Sequence, residues 1–206
     1  MAYPTSRSET LADGIVHAAG LLMAFPAAGL LVLQAGASPP TFWAAMVYVG
    51  CLILSLCASA VYHLSPIESV RPILRRVDHA AIYLKIAGTY TPFVALIGSA
   101  FAYSVLGLVW ALAVVGVVAK IWFWQANDKG SLALYLGMGW LSVLLIWPMW
   151  AKLPGPALGL VVIGGLIYSA GTTIYAHPGM RYQNALWHAV VLLASACLFI
   201  AVVMSL

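Results

Sequence analysis

Seven long apolar runs alternate with short breaker clusters along the chain. They cover about Ile15–Gln34, Phe42–Leu64, His79–Ile97, Phe101–Lys120, Leu132–Trp150, Pro156–Ala176 and Ala185–Met204. Each is near the length that crosses about 30 Å of hydrocarbon at 1.5 Å per residue. The breakers are Gly36–Pro40, Ser65-Pro66, Gly98-Ser99, Asn127–Gly130, Pro154-Gly155 and Pro178-Gly179. A bilayer offers the backbone no hydrogen-bonding partner, so runs of this length must be helices; barrel strands take only about 10 residues. The pattern predicts an all-α, polytopic seven-helix bundle, with residues 1–206 as one transmembrane domain. Residues 1–14 are polar, lack the features of a cleavable signal peptide, and suggest a short interfacial helix over 8–14.

Composition sharpens this. Apolar residues make up 64% of the chain and charged residues 7%, against about 45–50% and 25% in soluble domains. A soluble globule, a disordered chain and a disulfide scaffold are excluded; the three Cys lie inside apolar runs, as small core residues do. The net charge of +4 reads as topology rather than nucleic-acid affinity. Arg7, Arg71, Arg75, Arg76, Lys120, Lys129 and Arg181 fall on the side of the N-terminus, and only Lys152 on the other. The positive-inside rule then predicts a cytoplasmic N-terminus and an external C-terminus. Trp122, Trp124, Trp140, Trp147 and Trp150 sit near run ends, as interfacial belt residues do. Glu68 and Asp128 read as solvated loop acids.

The same alternation places His17, His63, His79, His177 and His188 at the N-terminal level of the bundle. Ionisable groups in membrane helices are costly and usually face the interior. Ser55, Ser59 and His63 form one stripe; Asn184 and His188 are one turn apart, with Ser195 below; Asp78, Ile82, Lys85 and Thr89 share a face. His79 points about 100° away from Asp78. Three helices can thus aim His63, Asp78 and His188 at one spot. Imidazoles with a carboxylate suit Zn²⁺; hydrogen-bonded interfacial histidines are the other reading of the same spacing.

The segment Arg75–Phe93, reading RRVDHAAIYLKIAGTYTPF, resembles the third-helix signature of the hemolysin III family, bacterial relatives of the progestin and adipoQ receptors. Ser59-Ala-Val-Tyr-His63 is similar to the family's Ser-x-x-x-His, Glu9 followed by His17 to its N-terminal pattern, and Asn184–His188 falls where the family has His-x-x-x-His. The wider superfamily includes adiponectin receptors and alkaline ceramidases. The resemblance implies seven helices, a bacterial cytoplasmic (inner) membrane location and a zinc ion held by three histidines. His63 and His188 would be metal ligands, with Asn184 at the third position; Asp78 would orient water and Ser59 assist. Three departures stand out: Asn184 for His, Lys85 for an apolar residue, and Leu198 where many relatives place His. Either His177, His17 or water completes the metal site, or the metal is lost and Lys85 serves Asp78 as counter-charge.

Two functions follow from the resemblance. One is a zinc-dependent intramembrane hydrolase of a lipid amide or ester; the other is a non-enzymatic lipid-homeostasis or sensor protein. A lytic pore lacks support, because polar residues cluster toward one end of the bundle. The expected partner is membrane lipid, with a homo-oligomer compatible and no soluble partner implied.

Overall fold

The computed structural model describes residues 6–36, 39–123, 128–177 and 179–206. The expected breakers Ala37, Ser38, Asn127 and Pro178, and the belt residue Trp124, lie outside these. The described chain is helical: α1 (Arg7–Ala35), α2 (Pro39–Leu64), a 3₁₀ turn (Glu68–Val70), α3 (Arg71–Ile97), α4 (Ala100–Trp122), α5 (Asp128–Trp140), a 3₁₀ segment (Leu141–Leu145), α6 (Ile146–Lys152), α7 (Gly155–Ala176) and α8 (Gln183–Ser205). Among the described residues these make seven spans long and apolar enough to cross a membrane, the fifth running Gly130–Lys152.

α1 differs from the sequence expectation. It begins at Arg7 as one continuous helix, with no separate surface helix over 8–14. The cause is a serine N-cap: Ser6 Oγ accepts from the Glu9 amide at 3.3 Å and donates to Glu9 Oε2 at 2.8 Å. The other Glu9 oxygen accepts from the Tyr182 amide at 3.0 Å, joining the start of α1 to the start of α8.

The fifth span is also less regular than its hydropathy implies. Pro148 has no amide hydrogen to give the Leu144 carbonyl, and the preceding turn tightens into 3₁₀ geometry. Just upstream, the Tyr90 hydroxyl lies 2.6 Å from the Met138 carbonyl oxygen and 2.9 Å from that of Gly139. By contrast, the α3–α4 link is sharp. Gly98 takes the left-handed conformation at φ 68°, and Ser99 caps α4 by accepting from the Ala102 amide at 3.2 Å.

α3 is the most buried span and packs between α2 and α4. α1 lies on α2 and α8, and α8 on α7. The core runs through Tyr48, Leu52, Ala87, Val94, Val109 and Met138. Leu22, Leu33 and Trp147 face outward, where lipid replaces water as the apolar solvent.

Gly88 sets the closest approach of α2 and α3. A Cβ there would meet Cys51 Cβ at 2.6 Å. Gly88→Ala gains up to about 1 kcal/mol of helix propensity, but overpacking costs about 1–3 kcal/mol. A net loss of thermal stability in detergent is expected, read as earlier loss of the monodisperse peak. Gly50→Ala, where a Cβ meets open space, should leave stability unchanged or raised.

Candidate functional site

Four helices bring polar groups together at the end of the bundle that carries the N-terminus. α1 supplies Asp13 and His17 one turn apart, α2 supplies Ser59 and His63, α3 supplies Asp78, and α8 supplies His188. All but Ser59 are buried.

Asp13 stands at the centre and is 1% exposed. Its Oδ1 lies 2.6 Å from His188 Nδ1 and 3.4 Å from His17 Nδ1. Its Oδ2 lies 3.4 Å from His63 Nδ1 and forms no hydrogen bond. The His63 and His188 ring centroids are 4.4 Å apart, as are those of His17 and His188. His63 Nε2 faces Asp78 Oδ2 at 4.0 Å.

The hydrogen-bond logic leaves a remainder. His17 Nδ1 lies 2.9 Å from the Asp13 carbonyl oxygen, which can only accept, so this nitrogen carries the proton. His188 Nδ1 likewise donates to the Asp13 carboxylate. In the neutral rings both Nε2 atoms are then acceptors. Both face Ser59 Oγ, at 3.1 and 3.3 Å, and a serine has one proton to give. One of these two Nε2 lone pairs is therefore left without a proton donor from Ser59 in the neutral state.

Asp13, His63 and His188 each present a ligand atom, all within 4.8 Å of one another. Zinc bonded at about 2.0–2.1 Å to tetrahedral ligands places them about 3.3 Å apart. The buried Asp13 Oδ2, facing His63 Nδ1 at 3.4 Å without a hydrogen bond, matches that spacing. Two imidazoles and a carboxylate are a known catalytic zinc set that leaves one position open.

The cluster opens into a cavity of about 290 Å³. His17, Ser59, His63, Asp78, His79, Lys85 and His188 line it, together with a largely apolar wall. Trp140, Val143 and Ile146 on the fifth span, and Val162, Gly165 and Leu166 on α7, both line the cavity and are exposed on the bundle. Gly139 and Gly165 have open space where a Cβ would stand, and the fifth span touches α7 only lightly. The cavity therefore has a side opening between the fifth span and α7.

The structure thus brings together four residues expected from spacing or resemblance: Ser59, His63, Asp78 and His188. Asn184 is buried one turn before His188 but does not line the cavity. His177 is exposed, with Nδ1 2.7 Å from the Thr173 carbonyl oxygen, away from the cluster. His79 is buried, and its carbonyl accepts from the Tyr135 hydroxyl at 2.9 Å. Asp13 was missed by sequence reasoning. Its signal was present, since Asp13-x-x-x-His17 has the one-turn spacing of Asn184 and His188.

The family profile described as Haemolysin-III related matches residues 6–199. The chain belongs to the haemolysin III family. Hemolysin-3 homolog of Bacillus subtilis (strain 168) is 36% identical over 201 residues, covering 94% of this chain and 92% of that protein. Hemolysin-3 of Bacillus cereus is 32% identical over 197 residues, covering 94% and 90%. As a haemolysin III family member, the chain is a multi-pass membrane protein whose outer surface meets lipid.

Proposed function

We propose that this haemolysin III family protein is a zinc-dependent intramembrane hydrolase acting on a lipid amide or ester, with its site at the cytoplasmic level of a bacterial inner membrane. One observation carries the reading: a buried Asp13–His63–His188 set has both its histidines in the wall of a largely apolar cavity open sideways to lipid, with Asp13 directly behind them. The excess of Lys and Arg at the same end supports the orientation.

Asp13, His63 and His188 would hold the metal. Zinc, when bound, supplies a Lewis acid that polarises a carbonyl and acidifies water toward neutral pH. The chain's own groups do the rest. The scissile carbonyl enters from the side opening, with the acyl chain along the apolar wall. Water adds to the carbonyl carbon as its proton passes to Asp78 Oδ2. The Ser59 hydroxyl donates to the developing oxyanion. Asp78 then returns the proton to the leaving nitrogen or oxygen, releasing a carboxylic acid and an amine or alcohol.

Metal content of chelator-free protein tests this first. Wild type should carry near one zinc per chain, and His63→Ala close to none. Wild-type protein should also turn over lipid amide or ester from a broad lipid extract. A wild type without metal, with metal restored in Asn184→His, would give the site to the sensor reading instead. Asn184 in the family's histidine position is the observation that favours that alternative.

A further inference from the structure

Lys85 lies outside the mechanism, yet it lines the same cavity. It is 9% exposed and sits seven residues after Asp78 on α3, about 10 Å farther into the bundle. Its ammonium lies 5.4 Å from the centre of the Tyr168 ring. Among the described residues Nζ has no carboxylate partner and no hydrogen bond. A ring face compensates only part of what an ammonium loses on leaving water.

Three neighbouring hydroxyls are committed elsewhere. The Thr89 hydroxyl donates to the Lys85 carbonyl at 2.7 Å. The Ser195 hydroxyl donates to the Val191 carbonyl at 2.6 Å, so the Tyr168 hydroxyl, 2.7 Å away, donates to Ser195. At this depth the cavity presents one ammonium, with the neutral hydroxyl of Ser55 also on its wall. Beyond it the wall is apolar, formed by Phe93, Leu145, Met149, Val161 and Leu198.

We propose that Lys85 is the headgroup site for a single-chain carboxylate amphiphile, a long-chain fatty acid anion drawn from the bilayer. The ligand enters between the fifth span and α7, sets its carboxylate on Nζ and lays its chain along the apolar wall. One ammonium matches a monoanion. A phosphate monoester, with more charge, would find no second ammonium or guanidinium among the described residues lining the cavity. The site needs neither zinc nor turnover, so it stands or falls apart from the hydrolase reading.

The test is direct binding of radiolabelled palmitate to the purified full chain in phosphatidylcholine nanodiscs, after chelator treatment. Hexadecanol and hexadecyl phosphate serve as comparison probes. Wild type should bind palmitate saturably near one per chain, at least about tenfold tighter than hexadecanol. Lys85→Met should abolish that preference, Lys85→Arg should keep it, and His63→Ala should not alter it. Equal binding of palmitate and hexadecanol by wild type would overturn the proposal without any variant. So would an unchanged preference in Lys85→Met, tighter binding of hexadecyl phosphate, or a preference lost in His63→Ala but kept in Lys85→Met. Should Lys85→Met fail to fold, the wild-type headgroup comparison decides.

Discussion

Asp13→Ala is expected to remove zinc and lipid turnover together. Among the described residues Asp13 is the one carboxylate that faces three imidazoles, with His188 at 2.6 Å and His17 and His63 at 3.4 Å. Losing a group that only orients a ligand costs about 10–100-fold in metal affinity, and loss of a ligand itself should exceed that. Zinc after dialysis should fall from near one per chain to less than about a tenth. The same change strips His188 of its short hydrogen bond and should cost about 1–3 kcal/mol of stability. Elemental analysis, paired with thermal unfolding in detergent, separates the two effects. Zinc retained at wild-type stoichiometry would show that His17, whose ring centroid is 4.4 Å from that of His188, completes the set in place of Asp13.

Asp78→Asn should have the opposite signature. Asp78 lines the cavity but stands 4.0 Å from His63 Nε2, farther than the atoms of the Asp13 cluster. Its proposed work is to take and return a proton, a contribution typically of about 10²–10⁴-fold in rate. Turnover should drop within that range while zinc content and unfolding temperature stay put. Asparagine keeps the shape and cannot act as the base, so a wild-type rate would assign Asp78 a purely structural part. Taken together, the two variants separate holding the metal from moving the proton.

Much of the architecture can be read from run length, because a bilayer demands about 20 apolar residues per crossing and leaves the backbone no alternative to helix. Helical spacing also locates Ser59 and His63 on one stripe of α2, and the alternation of spans puts His188 and Asp78 at the same level. Asp13 escapes this logic. It lies in a polar stretch that resembles solvated terminus, and the Ser6 N-cap with its Glu9 contacts extends the helix back to Arg7. Once the helix begins there, Asp13 faces the interior one turn before His17. The side opening escapes as well. It depends on which spans pack tightly against which, and hydropathy carries no information about neighbours. The break in the fifth span rests on Pro148 and on Tyr90, a residue about 50 positions earlier in the chain.

The cluster is assembled from the first helix and the last. Asp13 and His188 are separated by 175 positions, so α1 enters the membrane well before the helix that carries its partner. Until α8 inserts, the Asp13–His63–His188 group is incomplete, however well the earlier helices have packed. The Glu9–Tyr182 hydrogen bond closes the same seam at the membrane surface. The Asp13–His63–His188 group therefore comes together only once α8 has joined α1, and a product cut off before α8 has neither that group nor the contact that ties the two helices.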